Sequence, residues 1–97
     1  MDTAPLTVAS PEEPQEVLRI LIADDNDSDR LILQTIVRKE GHTVYTARDG
    51  QEAIDIFREQ SPDIVLLDAL MPNVDGFEAA RTIKALAGDD LVPIIFL

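Results

Sequence analysis

The stretch VLRILIADDNDSD, residues 17–29, joins a short apolar run to an acidic loop, and this junction decides the fold. The run Val17–Ala23 has the length and aliphatic content of a strand that is buried on both faces, as in parallel sheets. Polar residues follow it directly, and their Asp, Asn and Ser side chains are common helix caps. The stretch therefore predicts a parallel strand that leads through a polar loop into a helix.

Strands and helices continue to alternate along the chain. The predicted helices have apolar residues at helical spacing, and they are Asp29–Glu40, Gln51–Gln60 and Phe77–Ala87. The later strands are short apolar runs, and they are Thr43–Ala47, Asp63–Leu67 and Leu91–Leu97. The order β-α-β-α-β-α-β predicts an α/β fold with a doubly wound parallel sheet and helices on both faces.

Each predicted helix has an apolar stripe and a stop signal. The first stripe holds Leu33, Ile36 and Val37 with Ile32 beside it, and the inward residues of the others are Ala53, Ile54 and Phe57, then Phe77, Ala80, Ile83 and Ala87. Glycine commonly ends a helix in the left-handed region, and Gly41 and Gly88 stand at those positions. Pro62 stops the second helix because proline cannot continue one.

Composition bounds the organisation of the chain. Residues 1–16 contain three prolines and four acidic residues, which predicts a disordered arm before one domain at residues 17–97. The net charge of −11 makes the chain a poor nucleic-acid binder. The chain has no cysteine and no long apolar run, so we expect a soluble protein in a reducing cytoplasm, without a membrane span.

Three carboxylates follow the predicted strand ends. Asp24 and Asp25 follow the first strand, and Asp68 follows the third. Singly, each is explained by a helix cap or a turn. If strands 1 and 3 are neighbours, as in the order 2-1-3-4, all three meet in one cleft. Such a cluster suits Mg²⁺, which prefers oxygen ligands, and the third carboxylate is then free to attack a phosphoryl group.

The residues at these positions resemble a known family. ILIADDN (20–26), IVLLDALMPNVDGFE (64–78) and VPIIFL (92–97) resemble the motifs of response-regulator receiver domains, which have a flavodoxin-like fold. The resemblance covers residues 17–97 and implies that Asp68 is the phosphoacceptor, with Mg²⁺ as the cofactor. It also implies that Asp25 binds the metal directly and that Asp24 does so directly or through water.

The same resemblance assigns roles within the loop after Asp68. Leu70 would offer its backbone carbonyl to the metal, Pro72 and Gly76 would shape the loop, and Met71 would pack. The implied partners are a histidine kinase or phosphotransfer protein as the phosphate donor, and an output domain or downstream protein as the receiver of the signal. A homodimer is a further expectation.

The chain departs from the family after strand 4. Strand 5, helices 4 and 5, the switch Ser or Thr and the phosphate-pairing Lys of the family have no counterpart among these residues. Strand 4 would then be an exposed apolar edge. We therefore expect either a fragment of a longer protein or completion by another chain.

Two other functions remain open on the sequence. One is a protein-interaction module, a receiver-like chain that docks to partners without being phosphorylated. The other is a metal-dependent phosphohydrolase with an aspartate nucleophile, but it usually needs D-x-D after strand 1, where this chain has adjacent aspartates. His42, the only histidine, is expected to be an exposed loop residue rather than a phosphate carrier.

Overall fold

The computed structural model describes residues 16–97, so the predicted arm lies outside the described residues except for Glu16. Seven elements alternate along the chain: β1 (Arg19–Ala23), α1 (Asp27–Lys39), β2 (Thr43–Ala47), α2 (Gly50–Gln60), β3 (Ile64–Leu67), α3 (Gly76–Ala87) and β4 (Ile94–Phe96). The strands form one parallel sheet in the order β2-β1-β3-β4. The predicted doubly wound α/β fold and its strand order are confirmed.

The two faces of the sheet are filled differently. Side chains alternate along a strand, so Leu21 and Leu67 point to one face, where they are fully buried against α2 and α3 in a core with Ile83. Ile20 and Ile22 point to the other face and are buried as well. α1 packs there on β1 and β2, yet none of its residues is buried.

The apolar stripe on α1 therefore covers the sheet only in part. Leu33 and Val37 are half-buried, whereas Ile32 and Ile36 remain 57% and 54% exposed. α2 and α3 pack against each other and shield their stripes, but no second described helix lies beside α1. Among residues 16–97, the face under α1 is thus the more open one.

Two side chains are placed differently from the predictions. Phe77 was expected to point inward but is 52% exposed; its ring lies 5.0 Å from that of Phe96, between α3 and β4. His42 was expected to be exposed but is half-buried, because its Nδ1 accepts the backbone N–H of Leu18 at 3.0 Å. Both contacts join elements that are distant in sequence.

Side-chain caps close the helix N-termini, of which only the first was predicted from the sequence. Each helix begins after an Asn or Asp whose side chain accepts a backbone N–H one turn on; these caps are Asn26, Asp49 and Asp75. Gly41 and Gly88 have positive φ at the ends of α1 and α3, as predicted.

β4 is shorter than predicted and starts after Pro93, which has no N–H to donate to the sheet. Within residues 16–97, no helix combines the length and apolar character that crossing a bilayer requires.

Candidate functional site

Three carboxylates converge at the carboxyl edge of the sheet. Asp24 and Asp25 follow β1, and Asp68 follows β3. One carboxylate oxygen from each lies within 4.8 Å of the others. The strands place them there because β1 pairs directly with β3, with Ala23 opposite Leu67. The prediction that these side chains share one cleft is confirmed.

Asp24 is the buried member of the cluster. Its side chain is 6% exposed, and its Oδ1 accepts the backbone N–H of Asn26 at 2.9 Å. The Asp24 backbone N–H donates to Ala47 at the end of β2, at 3.1 Å. Backbone and side chain are thus both fixed, and the carboxylate is held at the base of the cleft.

The electrostatics of the cleft favour a cation. Burial raises the pKa of Asp24, and the negative charges of Asp68, Asp29 and Asp25 raise it further, while the hydrogen bond from Asn26 lowers it. A carboxylate that is hard to ionise gains most from a nearby positive charge. The described side chains do not provide that charge, because the ion pairs within residues 16–97 lie elsewhere.

Arg30 is the cation that approaches the cluster from α1. Its Nη1 donates to the backbone carbonyl of Asp24 at 2.8 Å, and its Nη2 pairs with Asp27 at 2.6 Å. Its charge is therefore directed to the main chain and to Asp27, not to the three carboxylates. The donor set left in the cleft consists of carboxylate oxygens, which hard divalent cations such as Mg²⁺ prefer. The residues present fit such an ion.

Asp68 is more accessible than Asp24. Its Oδ1 accepts the backbone N–H of Leu70 at 3.0 Å, which closes a short turn. Among the hydrogen bonds of residues 16–97, none reaches its Oδ2. One oxygen is thus oriented by the loop while the other is left for a ligand.

The loop from Asp68 to Gly76 has a buried anchor and an exposed rim. Met71 is 8% exposed and belongs to the core, as predicted, whereas Leu70 is 79% exposed and Pro72 is exposed. Gly76 closes the loop by donating its N–H to Ala69 at 3.0 Å. A Cβ on Gly76 would overlap the carbonyl oxygen of Asp68, so the close approach requires glycine. This contact supports the loop-shaping role predicted for Gly76.

Sequence reasoning missed three residues around the site: Asn26, Arg30 and Asn73. Asn73 has φ of +64°, which asparagine tolerates better than most residues. An asparagine in a Pro-containing loop could therefore have been predicted to adopt this conformation. Asn26 was included only as one of several possible caps. The contact of Arg30 with the Asp24 carbonyl could not be predicted from the sequence, because it depends on the direction in which α1 leaves the loop.

The chain matches a family model over most of its length. The model is the response regulator receiver domain, and it matches residues 20–97. The transcriptional regulatory protein AfsQ1 of Streptomyces coelicolor is 38% identical over 78 residues, which are 80% of this chain and 33% of that protein. The chain therefore spans only about a third of the length of this curated relative.

Solved structures show the same architecture. The chemotaxis protein CheY4 of Vibrio cholerae superposes with a TM-score of 0.78 at 27% identity, over 84% of this chain and 68% of that one. The CheX-CheY-BeF₃-Mg complex of Borrelia burgdorferi gives a TM-score of 0.75 at 32% identity, over 81% and 60% of the two chains. The Borrelia burgdorferi structure is thus of a complex that contains magnesium.

Proposed function

Because the chain belongs to the response regulator receiver domain family, we propose that it is the phosphoacceptor switch of a two-component system, with Asp68 as the acceptor. The convergence of Asp24, Asp25 and Asp68 within 4.8 Å carries this proposal. Helix caps and turns explain each aspartate singly, but they do not require three carboxylates at two neighbouring strand ends.

Asp25 and Asp24 would hold Mg²⁺, together with Asp68 and the backbone carbonyl of Leu70. The raised pKa of Asp24 supports this assignment, since a cation in the cleft would stabilise its ionised form. When bound, Mg²⁺ would offset negative charge on the oxygens of the transferring phosphoryl group.

The proposed transfer is a displacement at phosphorus. A carboxylate oxygen of Asp68 attacks the phosphoryl group of a phosphohistidine on a kinase or phosphotransfer protein. The new O–P bond forms as the P–N bond breaks, and the electron pair leaves with the imidazole nitrogen. We assign the attack to Oδ2, because Oδ1 accepts the N–H of Leu70. That N–H would hold the carboxylate in orientation during the attack.

Phosphorylation would then bias a two-state equilibrium that an output domain or downstream protein reads. Pro72 and Gly76 would keep the loop in shape through this cycle. The family comprises signalling modules, so any catalysis would be limited to self-phosphorylation and autodephosphorylation. A homodimer and a cytoplasmic location stay predictions from the sequence.

Mass spectrometry of the full chain after treatment with acetyl phosphate and Mg²⁺ tests the proposal. We expect one added phosphoryl group, which is absent in Asp68→Asn and retained in Asp89→Asn. Asp89 is exposed and lies in the turn before β4, at the other edge of the sheet, so it is a matched control. An unmodified wild-type chain, or an adduct that persists in Asp68→Asn, would contradict the assignment.

A second function, docking without phosphorylation, stays a prediction from the sequence. The same mass spectrum separates the two functions. A docking module would bind its partner equally well as wild type and as Asp68→Asn.

A further inference from the structure

Gly50, the first residue of α2, lies directly against the loop that carries Asp68. A Cβ built on Gly50 would overlap the carbonyl oxygen of Val74 and lie 2.8 Å from its carbonyl carbon, closer than real Cβ atoms come. We propose that Gly50 is a positioning residue for the phosphoacceptor loop: the absence of its side chain lets the loop sit where Asp68 meets Asp24 and Asp25. The inference rests on the proposed function of Asp68.

Local helix chemistry does not explain a glycine at this position. Gly50 is helical, and its φ is not in the positive range. Alanine forms helices better than glycine does, because glycine loses more backbone entropy. Judged on α2 alone, Gly50→Ala should therefore stabilise the chain. The close approach of Val74 predicts instead that Gly50→Ala destabilises the chain.

The start of α2 has little freedom to retreat from the loop. The Asp49 side chain accepts the backbone N–H of Glu52 at 2.8 Å, and the Glu52 side chain accepts the backbone N–H of Arg48 at 2.8 Å. These two bonds, similar to a capping box but with Arg48 as the second donor, fix the first turn of the helix. Ala53 and Ile54 then anchor the next turn in the core, where both are buried.

The loop would transmit a displacement of Val74 to Asp68. Val74 precedes Asp75 and Gly76, and Gly76 itself packs on the backbone of Asp68, with room for no Cβ. The N–H of Gly76 also donates to Ala69 at 3.0 Å. A displacement of Val74 would thus reach Asp68 through two close backbone contacts, the first between Gly50 and Val74 and the second between Gly76 and Asp68.

The first test compares Gly50→Ala with Gly88→Ala in the full chain. Gly88 has φ of +63°, and a Cβ at this position would meet nothing within 4 Å, so its substitution strains the backbone without touching the loop. It lies at the end of α3, 12 residues from the site end of that helix, or about 18 Å along the axis. We expect Gly50→Ala to lower the phosphorylation rate by acetyl phosphate about tenfold or more, and to weaken Mg²⁺ binding.

Gly88→Ala should keep both the phosphorylation rate and the Mg²⁺ affinity under conditions where both variants remain folded. Equal losses in the two variants would mean that lost stability alone is responsible, and would overturn the inference. So would a Gly50→Ala chain that is more stable than wild type and is phosphorylated at the same rate. If wild type itself takes no phosphate, the proposed function of Asp68 fails instead.

The second test needs no substitution. The chain has four glycines, at positions 41, 50, 76 and 88, so ¹⁵N-glycine labelling gives four amide signals. On titration with MgCl₂, we expect the Gly50 and Gly76 signals to move and the Gly41 and Gly88 signals to stay. An unchanged Gly50 signal, while that of Gly76 moves, would show that the loop and α2 are independent.

Discussion

The backbone N–H of Asp68 donates a hydrogen bond of 2.9 Å to the carbonyl oxygen of Ala23. This bond ties the first residue after β3 to the last residue of β1. It brings the chain to Asp68 at the same level of the sheet from which Asp24 and Asp25 emerge. The spacing of the three carboxylates is therefore set by strand pairing, and the sheet, rather than the loops alone, builds the site.

Asp24→Asn should change how the stability of the metal-free chain depends on pH. Burial raises the pKa of Asp24 above its ordinary value of 3.8, and its acidic neighbours add to the shift. The folded state then binds this proton more tightly than the unfolded state does. Its stabilising contribution is full below the unfolded pKa and is lost as the pH rises through the folded pKa.

We therefore expect wild type to lose free energy of unfolding as the pH rises above 3.8 through that window, and Asp24→Asn to lose less. Asparagine keeps an oxygen that can accept the N–H of Asn26. Urea unfolding at several pH values, without divalent cations, measures the difference between the variants. A metal-free Asp24→Asn chain that is less stable than wild type at neutral pH would contradict the charge argument.

Mg²⁺ should stabilise the chain through the same cluster. A ligand at ten times its dissociation constant adds about 1.4 kcal/mol to the free energy of unfolding when it binds the folded state only. We expect Asp25→Asn to lose most of this gain and Asp89→Asn to keep it. Urea unfolding with and without MgCl₂ measures the gain. Equal gains in both variants would place the ion outside the proposed site.

Asp75 should stabilise α3 through its side-chain oxygen. It caps the helix at the end of the acceptor loop and accepts the backbone N–H of Glu78 at 2.9 Å. Asp75→Ala leaves that N–H without its partner, and loss of such a cap costs about 1 kcal/mol. Asp75→Asn should cost much less, because asparagine also caps helices. Chemical unfolding of wild type, Asp75→Ala and Asp75→Asn measures their order of stability. An Asn variant as unstable as the Ala variant would exclude capping as the cause.

The sequence predicted the sheet and the site because both depend on local patterns. The apolar runs at β1 and β3 end at Asp24 and Asp68, and parallel pairing then brings the aspartates together. What it missed depends on contacts between distant residues. The hydrogen bond from Leu18 to His42 spans 24 positions, and the close approach of Gly50 to Val74 appears only when α2 and the loop are placed together.

The partial exposure of the apolar stripe on α1 could not be predicted for a related reason. Periodicity identifies the apolar side of a helix, but it does not say how much of that side its neighbours cover. Ile36 repeats at the right spacing and is nevertheless 54% exposed. Ile83, at a similar position on α3, is fully buried because α2 covers its flank.

This contrast gives a matched pair of substitutions. Ile83→Ala should lower the free energy of unfolding by about 2–5 kcal/mol, because it removes a fully buried side chain and leaves a cavity. Ile36→Ala should change it by no more than about 0.5 kcal/mol, since little buried surface is lost and alanine is the better helix former. Urea unfolding of both variants compares the two faces of the sheet directly. A loss at Ile36 as large as that at Ile83 would mean that Ile36 is covered in solution, by a second copy or another segment, and would contradict its assignment as an exposed residue.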